Sequence, residues 1–134
     1  MYENMSATDS NTGTQSLFTG LPSGVVPIVA ILAALVSTYI HLSLAPMVMQ
    51  FNTVQGALFI LAGLGFIGGI VLYLTKYWRR ELYLVAIVFA LAQVAAFFVM
   101  GGRVNQMAIA SKVSEVVFAA AAAYLYQTDT AVTS

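Results

Sequence analysis

Four long apolar segments alternate with short polar segments along the chain. Each apolar segment is close to the ~20 residues that an α-helix needs to cross about 30 Å of hydrocarbon. Apolar residues occupy every face of these segments, whereas a water-soluble helix would show a polar face at a 3.6-residue period. The pattern predicts an all-α fold, an integral membrane four-helix bundle, with spans at about residues 24–45, 54–75, 82–101 and 105–126.

The two ends of the chain are polar. Residues 1–20 are rich in Ser, Thr and Asn and lack the basic start and early apolar run of a cleaved signal peptide, which predicts a disordered tail. Residues 21–127 then form one transmembrane domain, and residues 128–134 form a second polar tail. Pro46 is expected to stop the first helix, so that a loop over residues 46–53 leads into the second span.

Composition excludes several classes of protein. The chain is 60% hydrophobic and 7% charged, whereas a soluble domain has about 25% charged residues. A protein with this few charged residues cannot present a polar surface to water. The lipid bilayer is therefore the expected partner. A net charge of zero gives no electrostatic footprint for nucleic acid, and the absence of cysteine excludes disulfides, thiolate metal sites and iron–sulfur clusters.

A basic loop between the second and third spans predicts the orientation. It contains Lys76, Arg79 and Arg80, and short basic loops remain on the cytoplasmic side of the membrane. A multi-pass protein of the cell membrane with both termini in the cytoplasm is therefore expected. Aromatic side chains flank this loop, as in an interfacial belt: Tyr73, Tyr77, Trp78 and Tyr83.

The second span contains a small-residue motif. Gly65 and Gly69 form a GxxxG pair, with Gly68 beside them. In lipid, small residues let helix backbones approach closely, so this stripe is predicted to pack against another helix. A phosphate-binding role is not favoured, because such loops require a preceding strand.

Polar residues inside the spans are the candidate site. Lys112 and Glu115 lie within the fourth span, where a charge costs roughly 2.5–3.5 kcal/mol, and their i, i+3 spacing allows them to pair. Gln93 is predicted at the depth of Glu115, within reach of a hydrogen bond. Ser37 and His41 share a face of the first span. The five residues are predicted to form one intramembrane polar cluster.

Two interpretations of this cluster remain open. It can join the helices, with each hydrogen bond contributing about 0.6–2 kcal/mol. Alternatively, Glu115 accepts a proton or cation while Lys112 sets its charge state, because intramembrane ionisable residues often mark function.

A third interpretation is Cu(I) or haem binding through His41 and methionines. The methionines expected on the outer side are Met47, Met49, Met100 and Met107. No HxxxH or MxxxM pair lies on one helix, so no metal or cofactor is predicted.

The segments HLSLAPMVMQF, GALFILAGLGFIGGIVLYLTKYWRRELYLVAIVFAL, AFFVMGGRVN and AIASKVSEVVFAAAAAYLY together resemble small four-span membrane proteins of haloarchaea, an uncharacterised family. The likeness covers about residues 41–126 and implies a prokaryotic cell membrane without adding an activity. A looser likeness in size and span count to DoxX-type membrane subunits implies an accessory role in a redox complex.

These observations predict a non-enzymatic subunit or accessory factor of a membrane complex. No nucleophile–base pair is evident, and few ionisable groups are available for hydrolysis. The alternative is a small proton- or cation-coupled transporter that uses Glu115. The expected protein partners are copies of the chain itself or other subunits of a membrane complex.

Overall fold

The computed structural model describes Pro22, residues 24–101 and residues 104–133, with side chains up to Thr128. Four helices occupy most of this part of the chain: α1 (Val25–Phe51), α2 (Thr53–Tyr73), α3 (Glu81–Val99) and α4 (Gln106–Thr133). The predicted all-α class is confirmed for these residues, and all four helices are long and apolar enough to cross a membrane. The tail predicted over residues 1–20 lies outside the described residues.

The outer surface of the bundle is apolar. Leu32, Leu61 and Val88 have 56%, 62% and 67% of their surface exposed, which suits contact with lipid chains rather than water. Small side chains such as Ala34 and Ala90, both fully buried, occupy the interior. Small buried residues allow the helices to pack closely where lipid provides no hydrophobic drive for association.

The turn between α1 and α2 is tighter than expected. Helix α1 continues through Pro46 to Phe51, so the predicted stop and the loop over residues 46–53 are not formed. Proline removes one backbone donor, and a membrane helix tolerates this loss. Asn52 alone separates the helices: its N–H donates to the Val48 carbonyl (2.8 Å), and its side chain accepts from the Gln55 N–H (3.0 Å), which caps α2.

The helices pack in the order α2, α1, α4, α3, with backbone contacts between neighbours in this order. The backbones of α2 and α3 stay farther apart, and side chains bridge the space between them. Phe66 of α2, only 2% exposed, makes edge contacts with Phe89 of α3 (centroids 5.0 Å apart) and Phe118 of α4 (5.3 Å). These three rings fill the space between α2, α3 and α4 in the middle of the bundle.

The basic loop is anchored to the end of α4. The Arg80 Nε–H donates to the Tyr126 carbonyl (3.0 Å), and the guanidinium lies over the Tyr126 ring at 3.6 Å. Lys76 and Arg79 are exposed, with the Lys76 ammonium 5.4 Å from the Tyr77 ring. Beyond Tyr126, α4 continues to Thr133, so the polar segment predicted as a C-terminal tail is largely helical.

The glycines of α2 differ in their surroundings. A Cβ at Gly65 would lie 2.5 Å from the tip of the Phe89 ring, whereas no atom of the described residues lies within 4 Å of that position at Gly68 or Gly69. In the described part of the chain, therefore, Gly65 makes the expected helix contact, whereas Gly68 and Gly69 do not.

Close approach of α2 to α1 occurs at two other glycines. At Gly56, a Cβ would lie 2.9 Å from backbone atoms of Met49, and at Gly63 it would lie 2.6 Å from the Leu42 side chain. Both glycines are buried. The short turn at Asn52 brings this face of α2 against α1.

Candidate functional site

Glu115 is the centre of the polar cluster and is fully buried on α4. Its Oε1 accepts a hydrogen bond from the Lys112 ammonium at 2.7 Å. Its Oε2 accepts from the hydroxyls of Ser111 (3.0 Å) and Ser37 (2.9 Å). Lys112 and Ser111 lie three and four residues before Glu115, so α4 presents them on the same face. Ser37 comes from α1, so the carboxylate joins these two helices.

His41 lies one turn beyond Ser37 on α1. Its Nδ1 is 2.8 Å from the Ser37 carbonyl, which can only accept, so Nδ1 carries a proton. Its Nε2 faces Oε2 of Glu115 at 3.5 Å. Two unprotonated acceptors would repel each other here, so a proton on either atom makes the contact favourable. The ring edge also contacts Phe59 of α2, with centroids 5.1 Å apart.

Lys112 extends the cluster to α3. Its ammonium donates to the backbone carbonyl of Gln93 (3.3 Å) and lies 5.5 Å from the centroid of the Phe97 ring. The side chain is 18% exposed, unlike Glu115. Lys112 is therefore the charged side chain of the cluster that a molecule outside the cluster can contact.

The Gln93 side chain does not make the expected hydrogen bond with Glu115. Its Nε2 donates instead to the Phe89 carbonyl one turn earlier (3.4 Å), and its buried Oε1 has no partner among the described residues. The backbone carbonyl of Gln93, rather than its amide, connects α3 to the cluster. Depth along the helix predicted its neighbourhood but not its rotamer.

Ser111 is the member not selected from the sequence. Its position four residues before Glu115 was a usable signal, because residues at this spacing share a helix face. Ser114 is also buried, but its hydroxyl donates to the Ser111 carbonyl (2.8 Å) within α4. Ser37, His41, Lys112 and Glu115 are brought into one network.

Ser37, His41 and Glu115 have the residue types of a hydrolytic triad without its geometry. In a triad, the serine hydroxyl donates to an imidazole that is oriented by the acid. Here the Ser37 hydroxyl donates to Glu115. The imidazole Nδ1 lies 3.2 Å from the Ser37 Oγ, but it carries a proton that it donates to the Ser37 carbonyl, so it cannot accept one from the hydroxyl. Ser37 is fully buried, so a substrate carbonyl cannot reach it. The arrangement is suited to holding charge and protons rather than to acyl transfer.

A cavity of about 710 Å³, called the vestibule below, lies between the four helices beside this cluster. His41, Ser111 and Lys112 line its deep end, and Phe51 and Asn105 line the end beside the helix connections. The ten residue-to-residue steps from His41 to Phe51 correspond to about 15 Å along α1. The volume is within the range of about 300–1,000 Å³ that is typical of small-molecule sites.

The candidate methionines do not converge on His41: two of the four line the vestibule, and Met107, 38% exposed, is not among its lining residues. Met47 and Met100 line its wall, while Met49 packs at Gly56. Both ring nitrogens of His41 face protein atoms. Among the described residues, no group of three or more His, Cys, Asp or Glu side chains has a metal-binding arrangement.

A second cavity, of about 230 Å³, lies near the basic loop and is lined by Phe66, Trp78 and Tyr83. The Trp78 ring makes edge contacts with Tyr73 and Tyr83 at 5.0 and 5.1 Å. Its lining is almost entirely apolar, and the polar cluster does not contribute to it.

Comparison with known proteins gives a family without an assigned role. Neither the curated proteins nor the solved structures contain a significant match to the chain. The profile of one protein family matches residues 12–126, which include all four apolar segments and the whole polar cluster. The chain therefore belongs to the family of unknown function DUF7475.

Proposed function

We propose that the protein is a non-enzymatic accessory subunit of a membrane complex, whose polar cluster fixes the bundle that partners recognise. The main observation behind this proposal is that the fully buried Glu115 carboxylate accepts hydrogen bonds from Lys112, Ser37 and Ser111. These bonds offset the cost of a charge in the membrane interior, roughly 2.5–3.5 kcal/mol. Because Glu115 is fully buried, neither carboxylate oxygen is exposed to a substrate in the vestibule.

The cluster supports an accessory role because it connects three of the four helices. Ser37 and His41 belong to α1, Lys112 and Glu115 to α4, and the Gln93 carbonyl to α3. Fixing these helices keeps the apolar outer faces in constant positions. A constant apolar face is what a neighbouring membrane subunit needs for close packing.

The cell membrane of a prokaryote is the proposed location, with both termini in the cytoplasm. The positive-inside rule, applied to Lys76, Arg79 and Arg80, supports the orientation. The resemblance to small haloarchaeal four-span proteins supports the location, and the looser resemblance to DoxX-type subunits supports an accessory role.

Single cysteines test this orientation, because the natural chain has none. Gln50→Cys and Tyr77→Cys place exposed thiols at opposite ends of the bundle and keep all three basic residues of the loop. In intact cells, an impermeant maleimide is expected to label Gln50→Cys, whereas Tyr77→Cys reacts only after permeabilisation. If Tyr77→Cys is labelled in intact cells and Gln50→Cys is not, the protein has the opposite orientation, with the basic loop outside the cell.

Crosslinking in the native membrane tests the accessory role. Cells that produce the tagged protein are crosslinked before extraction, and an unrelated four-span protein with the same tag serves as the control. A defined partner at fixed stoichiometry, absent from the control, is expected. If only the monomer or copies of the same chain are recovered, the accessory role is wrong.

One observation favours proton or cation coupling as a second candidate function. The Nε2 of His41 and the Oε2 of Glu115 are 3.5 Å apart beside the vestibule, where one proton can lie between them. Protein in liposomes with an imposed pH gradient would then carry a proton current that Glu115→Gln abolishes. A current no greater than that of protein-free liposomes would contradict this candidate.

A further inference from the structure

We propose that the vestibule binds a carboxylic acid with an apolar tail, whose acid group lies at Lys112 and which binds together with one proton. This inference goes beyond the accessory role, because it assigns a ligand class to a cavity that the helix-fixing role does not require.

The distribution of side chains fits an amphipathic ligand. The wall is apolar and aromatic, with Leu44, Leu58, Phe59 and Phe97 contributed by three helices. The cationic group is at the deep end, with Lys112 beside His41. An apolar wall with a few polar groups at one end is typical of sites that orient a ligand by its headgroup.

Hydrogen-bonding capacity at the deep end fits a carboxyl group. The ammonium of Lys112 has three N–H donors, and its two hydrogen bonds to described residues go to Glu115 and the Gln93 carbonyl. A third donor is therefore available for a carboxyl oxygen. Gln93 also lines the vestibule. Its Oε1 is buried without a partner among the described residues, so a small shift of this side chain towards the vestibule would offer an acceptor to a carboxylic O–H.

Charge balance requires the proton. Lys112 and Glu115 neutralise each other, so a carboxylate alone would leave one negative charge at low dielectric. One proton restores neutrality, either on the ligand or between His41 and Glu115. Helix α1 contributes His41, α4 contributes Lys112 and Glu115, and the described lining residues of α2 and α3 are not titratable. A phosphate monoester, which carries about 1.5 to 2 negative charges at pH 7, would leave the site with excess negative charge.

Binding of [1-¹³C]octanoate to the full chain in nanodiscs tests the inference. Octanoate has the tail and the acid group and remains monomeric in water at working concentrations. Carbon NMR is expected to show saturable binding that exceeds uptake by empty nanodiscs. Between pH 6 and pH 8 the affinity should fall with rising pH, approaching tenfold per pH unit, because each bound acid takes up one proton.

Two variants and one analogue make the test specific. The double variant Glu115→Gln/Lys112→Met removes the cation while keeping the site neutral, and it should bind octanoate at least tenfold more weakly. Lys76→Met removes the exposed lysine of the basic loop and should bind like the natural chain. Methyl octanoate, which has neither the charge nor the proton, should bind more weakly than octanoate at pH 6.

Three results would overturn the inference. Equal binding of octanoate by the double variant would exclude Lys112 as the headgroup site. Affinity that does not change with pH would exclude the coupled proton. Equal or tighter binding of methyl octanoate at pH 6 would show that the vestibule recognises only the apolar tail.

Discussion

Glu115→Gln and Lys112→Met are each expected to lower the free energy of unfolding by about 3–5 kcal/mol, and the double variant is expected to lose less than either. Each single change leaves one buried charge without its partner across the 2.7 Å contact. The double change removes both charges, while a glutamine at position 115 can still accept from Ser37 and Ser111. Unfolding by denaturant in detergent micelles measures the four free energies.

The natural chain, the two single variants and the double variant form a double-mutant cycle. Lys76→Met is its matched control, since Lys76 is exposed in the basic loop. Its unfolding free energy should remain within about 0.5 kcal/mol of the natural chain. If the losses of the two single variants add in the double variant, Lys112 and Glu115 do not interact. The structural interpretation of the cluster would then be wrong.

Gly56→Ala is expected to destabilise the bundle by about 1–3 kcal/mol, the usual cost of overpacking. Its new methyl group would meet the backbone of Met49, which cannot move aside like a flexible side chain. Gly68→Ala is the matched control, because it meets open space in the same helix. Alanine forms helix better than glycine, by about 1 kcal/mol, so Gly68→Ala should be neutral or stabilising.

Thermal unfolding of both glycine variants in the same detergent compares the two faces of α2. A lower midpoint for Gly56→Ala and an unchanged or higher midpoint for Gly68→Ala are expected. The opposite ranking would mean that Gly68, rather than Gly56, lies against a neighbouring helix.

The all-α class followed from the sequence because length and apolarity alone require helices in a bilayer. The helix ends were harder to predict. Pro46 lies inside α1, because losing a single backbone donor does not outweigh the surrounding helical hydrogen bonds. The cap at Asn52 is a local side-chain arrangement that the apolar pattern does not specify.

The rotation of α2 about its axis could not be predicted for a related reason. Its sequence is apolar on every face, so no polar side identifies the face turned towards the neighbouring helices. The GxxxG motif suggested the face of Gly65 and Gly69, of which Gly65 lies against the Phe89 ring of α3. The backbone contact with α1 is made by Gly56 and Gly63, which the turn at Asn52 brings against it. Tertiary geometry, rather than local sequence, decides this contact.

The candidate site was more accessible to sequence reasoning, because charges in a membrane need partners. Spacing on α4 predicted the pairing of Lys112 with Glu115, and spacing on α1 placed Ser37 and His41 on one face. The Gln93 rotamer depended on competition with its own helix backbone. The vestibule depends on the separation of α2 from α3, which no single segment encodes.

The most direct test of the polar cluster is a solid-state NMR distance between α1 and α4. The chain has one histidine, so labelling His with ¹⁵N and Glu with ¹³C at the carboxyl carbon isolates the contact between His41 and Glu115. Protein in lipid bilayers should show a strong dipolar coupling between an imidazole nitrogen and one carboxyl carbon, and Glu115→Gln should abolish it. If the natural chain shows no such coupling, Glu115 does not join α1 to α4.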